Sequence, residues 1–281
     1  MHLVSHGSLG TSNDLSVLSP AKIDKFAQIL YLAGIRKFKI VGGEPTLRAD
    51  LPQIIEGLRH LDPSIDISMV TNGVRLGRLA SEYVAAGMDR INVSVFSLRP
   101  DYFGKHVGPI SQMKKVADGV DTLVANRIPG KVNHVFHDLD DLLRVLRFAR
   151  ERNRRVNVLN EIPSMGSSSD GLPVGELWEI LHDSLPITEV RIEDDPYSLP
   201  VRVLTLKDGS ELEFKHLEIG SQGKFNSCGT CEVKSRCREG ILALRLTTQG
   251  AIQPCMVRDD NCLNLKESPS TDALQRYLLA L

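Results

Sequence analysis

No cysteine precedes Cys228 in this 281-residue sequence. Everything before it therefore lacks both a disulfide framework and a thiolate metal site. Charge of one sign is scarce too: 34 Lys and Arg stand against 35 Asp and Glu, for a formal net charge of −1. Such a balance gives no electrostatic drive toward nucleic acid or an anionic membrane, so neither is an expected partner. No apolar run is long enough to span a bilayer. The opening "MHLVSHGSLGTSND" has neither the basic nor the apolar region of a signal peptide, and a cytoplasmic protein is expected. Two phosphate-binding signatures are also missing. No Gly-Lys-Ser/Thr follows the glycines of "VGGEPT", and the Gly-x-Gly-x-x-Gly spacing of a dinucleotide turn is absent.

What is present is an ordinary globular composition, 42% hydrophobic and 25% charged, with strong local periodicity. "SPAKIDKFAQILYLAG" carries a Ser cap, Pro at the first helical position, helix-spaced Ile23, Phe26, Ile29 and Leu30, and a terminal glycine. Strand-like "KFKIV" follows. Helix and strand then alternate through "LPQIIEGLRHL", "IDISMVTNG", "RLASEYVAAG", "RINVSVFS", "SQMKKVADGVDTLVAN", "KVNHVFHD", "DLDDLLRVLRFARERN" and "RVNVLNEIP". Strands of one kind, each separated by a helix, imply right-handed βα units around a parallel sheet. The expected class is α/β, a partial TIM-type (βα) barrel over residues 1–164. Too few units are present to close eight strands, so the barrel should be open. Residues 165–281 read as a C-terminal extension with a helix around Trp178, hairpins around Lys207 to Ser210 and around Gly250, a cysteine-rich segment and a terminal helix.

In such folds ligands meet the C-terminal ends of the strands. The unusual residues fall there: Gly42-Gly43-Glu44-Pro45, Thr71-Asn72-Gly73, Ser94, His134 to His137, and Glu161. Gly42 and Gly43 leave backbone groups open to close approach by a polar ligand. Glu44 adds an acceptor for an ammonium or hydroxyl, and Pro45 stiffens the exit. Taken alone, a tight strand-to-helix turn explains the same residues. Cys228-x2-Cys231-x5-Cys237 lets thiolates converge, and Cys255 can complete a set of four, for zinc or an iron–sulfur cluster. Cys262 is the spare. His134 and His137 fit interior or surface roles better than metal ligation.

Order and spacing together resemble the radical S-adenosylmethionine (radical SAM) superfamily, and within it the GTP cyclase of molybdenum-cofactor biosynthesis (MoaA). The similarity rests on "GGEP", "TNG", "GMDRINVSVFSL", "FGKHVGPISQMKKVADGVDTL", "KVNHV", "NEIP", "CGTC" and "LALRLTTQGAIQPC". The resemblance implies S-adenosylmethionine at the glycine turn. Gly42, Gly43, Glu44, Pro45, Thr71, Asn72 and Ser94 would then line the cofactor, and Lys131, Glu161 and Arg245 the substrate. Cys228, Cys231 and Cys255, joined by Cys237, would hold an auxiliary 4Fe–4S cluster. A small-molecule or peptide substrate follows, with an electron donor such as flavodoxin or ferredoxin if the protein is active.

The sequence departs from that pattern in several places. Family members carry Cys-x3-Cys-x2-Cys on the first strand; here no cysteine precedes Cys228, and the first strand itself is missing from the pattern, which should leave a sheet edge open. The orderly sequence downstream fits a shortened chain better than a decayed one. Lys39 stands where the cyclase has Arg, Val70 where it has Thr, and Ala243 where it has another Arg. Arginine forks grip phosphate bidentately, which Lys and Ala do not reproduce. GTP is therefore one candidate substrate beside others. A second class of reading remains, a non-catalytic scaffold with a structural zinc knuckle. Ser94, Lys131 and Arg245 also have ordinary explanations: a strand-end polar group, a solvated lysine, and a partner for Glu239 or Asp259.

Overall fold

The computed structural model describes residues 2–3, 18–160, 172–194, 200–216, 228–232, 234, 243–255, 260–264 and 271–280. Six strands alternate with helices along the first part of the chain. They are β1 (His2–Leu3), β2 (Lys37–Ile40), β3 (Asp66–Thr71), β4 (Arg90–Ser94), β5 (Val132–Val135) and β6 (Val156–Leu159). The helices are α1 (Pro20–Leu32), α2 (Leu51–Leu61), α3 (Leu76–Ala85), α4 (Pro100–His106), α5 (Ser111–Ala125) and α6 (Leu139–Arg150). There follow α7 (Val174–Ser184), β7 (Ile187–Glu193), β8 (Val201–Leu206), β9 (Glu211–Lys215), β10 (Arg245–Leu246), β11 (Ala251–Gln253), β12 (Leu263–Asn264) and α8 (Thr271–Ala280). None of the described helices is long and apolar enough to cross a membrane.

Local chemistry accounts for these elements. Ser19 and Pro20 start α1, and Ile23, Phe26, Ala27 and Leu30 bury one stripe before Gly34 turns the chain at φ +96°. The Asp138 carboxylate accepts the Asp141 N–H at 2.8 Å and caps α6, while Arg147 and Arg150 sit in its last turn. The sequence reading passed over α4. Its seven residues bury only Phe103 and are too short for a periodic signal.

All strands join one sheet in the order β12-β11-β10-β1-β2-β3-β4-β5-β6-β9-β8-β7. Strands β1 to β6 run parallel, and β10 and β9 join them parallel at either side. Antiparallel hairpins complete both ends. No pairing joins β12 to β7 among the described residues, so the barrel is open. The edge beside β2, expected to be bare, is instead covered: His2 and Leu3 pair with Lys39 and Ile40 on one side and with Arg245 and Leu246 on the other. Two residues suffice because β10 lies in parallel register behind them.

The two faces of the sheet differ sharply. Phe38, Ile67, Met69, Ile91, Val132 and Val156 point to the helix layer and are all but fully buried. The alternating positions on the other face are mostly polar. Cα register aligns Lys39 with Ser68 and Ser68 with Arg90, then Asn133 with Asn157 and Asn157 with Glu213. Parallel strands buried on both faces read as continuous apolar runs. Here most of the alternating positions are polar, with Val70, Val135 and Leu159 as the apolar members, so the inner face lines a lumen suited to a mainly polar ligand.

Candidate functional site

The chain leaves β2 through Gly42 and Gly43 into a 3₁₀ turn, Pro45–Leu47. A Cβ built on Gly43 would meet no other atom within 4 Å, and neither Gly42 nor Gly43 is among the residues of positive φ. Thus the fold itself does not need a glycine at position 43. The Cβ direction of Gly43 faces space that no described atom fills.

Glu44 fixes that turn. Its Oε1 accepts the Thr46 N–H at 3.0 Å, the Thr46 hydroxyl at 2.6 Å and the Thr71 hydroxyl at 2.6 Å. Its Oε2 accepts the Asn72 N–H at 2.8 Å. The carboxylate thus ties the end of β2 to the end of β3, and it is not left over for a ligand ammonium, as the sequence had suggested. Thr71 faces the helix layer beside Ile67 and Met69, 2% exposed, and also accepts the Gly73 N–H at 3.2 Å. It braces the site and is turned away from the lumen. Asn72 spends its Oδ1 on the Val74 N–H at 3.0 Å. Gly73 is required by the fold, with φ +80° and Val93 Cγ1 2.7 Å from any added Cβ. Ser94 ends β4 on the inner face, level with Asn133, and its hydroxyl has no partner among the described residues. Of the predicted cofactor residues, Gly43 is exposed, Gly42 and Ser94 are half-buried at the strand ends, Pro45 is buried, and Glu44, Thr71 and Asn72 hold the scaffold.

The substrate residues separate in a similar way. Lys131 precedes β5 and gives its ammonium to Glu213, at 2.5 and 2.7 Å from the two carboxylate oxygens. The Glu213 side chain is 4% exposed and also takes Arg155 Nη1 at 3.0 Å. Arg155 is held further by Glu193 at 2.7 Å and Glu211 at 3.3 Å. Lys131 is therefore part of an ion-pair network across the β5, β6 and β9 strands, a partner that short-range sequence reasoning had no means to find. Arg245, buried on β10, lies 3.4 Å by its Nη1 from the Pro254 carbonyl. Glu161, and the suggested partners Glu239 and Asp259, lie outside the described residues.

The sequence reading named Lys39 only as a departure from the family; the structure gives it weight. It lies on the inner face, and burial, then the positive charges of Arg90, Lys131 and Lys37, push its ammonium below the ordinary 10.5, with Asp66 opposing. Arg90 forks onto Asp66 with two contacts of 2.6 Å. His134 and His137 prove to be interior. His134 donates Nδ1–H to the Val95 carbonyl at 3.0 Å, and burial holds it below its usual 6.5. His137 stacks on Tyr102 at 4.2 Å, with Nε2 3.0 Å from the buried Asp141 carboxylate.

Cys228, Cys231, Cys255 and Cys262 are half-buried, and the Cys231 N–H donates to the Cys228 carbonyl at 3.2 Å. Among the described residues no group of three or more Cys, His, Asp or Glu is arranged to hold a metal ion. Cys237 lies outside the described residues.

Against known proteins, residues 5–149 match the Radical SAM superfamily. A probable GTP 3',8-cyclase of Methanococcus vannielii is 29% identical over 91% of this chain and 80% of its own length. One from Methanosarcina acetivorans is 30% identical over 98% of this chain and 76% of its own. Among solved structures, Streptococcus suis SuiB bound to S-adenosylmethionine superposes with a TM-score of 0.57 at 15% identity, covering 96% of this chain and 62% of that one. That likeness speaks to the fold alone. The family match over half of the chain, on a sheet whose β2 and β3 ends carry the glycine turn and its brace, makes this protein a member of the radical SAM superfamily and a relative of the GTP 3',8-cyclases.

Proposed function

We propose that this chain binds S-adenosylmethionine at the β2 turn and a small-molecule or peptide substrate in the lumen, as a member of the radical SAM group. The observation carrying this reading is the open face at Gly43, held in place by the four hydrogen bonds of Glu44. A turn without a side chain beside fixed strand ends leaves room for an amino-acid moiety to approach closely. Gly42 and Gly43 would take the ammonium, and Ser94 would reach a second polar group of the cofactor. When bound, S-adenosylmethionine supplies a carbon–sulfur bond that family members break reductively.

The residues fit the cofactor but not the cluster that breaks it. Three thiolates are needed near the first strand, and no cysteine precedes Cys228 in this sequence. The auxiliary 4Fe–4S cluster fits the thiolate donor set of Cys228, Cys231, Cys237 and Cys255.

Two measurements test the reading. Calorimetry with S-adenosylmethionine should show binding, and Gly43→Val should weaken it by about a hundredfold, close to 3 kcal/mol. The valine methyls would fill the space now open and should leave the melting temperature nearly unchanged. Equal affinity in the variant would place the cofactor elsewhere. Protein purified without oxygen should carry iron and acid-labile sulfide; zinc in their place would make the cysteine segment a structural knuckle.

A further inference from the structure

The two ends of the sheet are unequal. Strand β12 ends one side with two residues, whereas β7 (Ile187–Glu193) is the longest described strand and has no neighbour on its outer side among the described residues. An unpaired edge of that length is a template for another strand unless something blunts it. Its apolar side chains are uncovered as well. Val190 is 47% and Ile192 49% exposed, although Leu204, the register partner of Val190, is fully buried.

The edge backbone has a defined direction. On β8, Leu206 gives its N–H to Ser210 on one side, and Lys207 gives its own to Pro186 on the other. Backbone groups alternate along a strand, so Val203 and Thr205 point at β7 and engage Arg191 and Glu189, their register partners. Val190 and Ile192 are left with N–H and C=O groups directed away from the sheet. Side chains alternate too: Glu189 and Arg191 share the lumen face with Glu211, and Val190 and Ile192 lie on the opposite face.

We infer that this edge joins two copies of the chain, β7 of one pairing antiparallel with β7 of the other about a two-fold axis at Val190. The strand is its own complement in that register. Val190 meets Val190 of the second copy in a hydrogen-bonded pair. Glu189 lands opposite Arg191 of the second copy, and Arg191 opposite its Glu189. On the other face the row from Leu204 to Val190 continues through Val190 and Leu204 of the second copy, which covers the exposed apolar strip. An axis at Ile192 would instead set Val190 against Asp194, an acid against an apolar side chain. Edge charges of one sign keep strands apart. Here the signs alternate, which admits the reversed copy and refuses a strand without that pattern. Glu189 is available for the pairing, since its side chain is 60% exposed and Arg191 of its own chain stands 3.9 Å away. The irregularity between Ile187 and Glu189 stops the match at that end, so the contact is short and the association reversible. None of this depends on the lumen being a cofactor site.

The test follows the full chain by sedimentation equilibrium and amide exchange across a range of concentrations. The wild type should pass from monomer to dimer near about 10 µM, as suits a small reversible interface. Amide hydrogens over residues 187–193 should gain protection as the dimer forms. Val190→Pro removes an outward N–H without costing a bond to β8. Glu189→Arg sets like charges opposite each other at two symmetric positions. Each variant should weaken self-association at least about tenfold, with the melting temperature of the dilute monomer held within about 2 °C. Glu189→Arg leaves the backbone alone, so it decides the matter if the proline variant fails to fold. A wild type still monomeric at about 200 µM, where such an interface would be largely occupied, overturns the inference and leaves the edge to a foreign strand. So does a dimer whose protection falls outside β7, or one that both variants leave unchanged.

Discussion

Glu44→Ala should lower both stability and S-adenosylmethionine affinity, although the carboxylate faces the protein and not the ligand. The substitution strips the acceptor from the Thr71 hydroxyl, 2% exposed, and from the Asn72 and Thr46 N–H groups. Hydrogen bonds to a charged acceptor contribute about 1.5–3 kcal/mol each, and they are not additive, so a net loss of about 3–4 kcal/mol is expected. The cofactor constant should rise about thirtyfold or more, because the turn must then be ordered at the expense of binding. Glu44→Gln discriminates further. A carboxamide can present its oxygen to Thr46 and Thr71, but its NH₂ then meets the Asn72 N–H donor-to-donor. Gln should therefore recover part of the stability and little of the affinity. Calorimetry and thermal melts check both, and a Gln variant indistinguishable from wild type would remove Glu44 from its bracing role.

How much of this could be read beforehand divides along physical lines. The βα alternation, the open barrel and the hairpins around Lys207–Ser210 and Gly250 follow from local periodicity and turn residues, and the structure has them. Strand β1 could not be foreseen. Two residues carry no periodic pattern, and His2 and Leu3 are ordered by β2 and β10, which come much later in the chain. The polar and glycine residues that interrupt the apolar runs at the ends of β2, β3 and β4 were legible in the sequence. Roles within the site were not. Glu44 looked like a ligand acceptor because its four donors come from two turns, and Lys131 looked available because Glu213 lies 82 positions away. Lys39 was visible only as a substitution within a family. Its meaning depends on which neighbouring cations are already paired, a property of the sheet and not of the sequence around it.

Gly119→Ala should be strongly destabilising, and it reaches the site through the helix layer. Gly119 lies on α5, and a Cβ there would stand 2.3 Å from the Gly73 carbonyl oxygen and 3.2 Å from its carbon. The obstacle is backbone, so no rotamer change relieves it. Either α5 moves out from α3 or the turn after β3 shifts. Overpacking of this kind costs about 1–3 kcal/mol, and for a chain of this size each kcal/mol lowers the melting temperature by about 2–4 °C. A fall of about 6 °C is expected despite the gain in helix propensity from alanine. Because Glu44 ties that same turn to the glycines of β2, cofactor affinity should fall with it. Gly77→Ala on α3 is the control: its Cβ would meet only the Thr122 hydroxyl at 3.8 Å, an ordinary contact. Stability and affinity should both hold in that variant. If Gly119→Ala lowers the melting temperature but leaves cofactor affinity intact, the turns after β2 and β3 are not mechanically linked, and the brace assigned to Glu44 is local to the 3₁₀ turn.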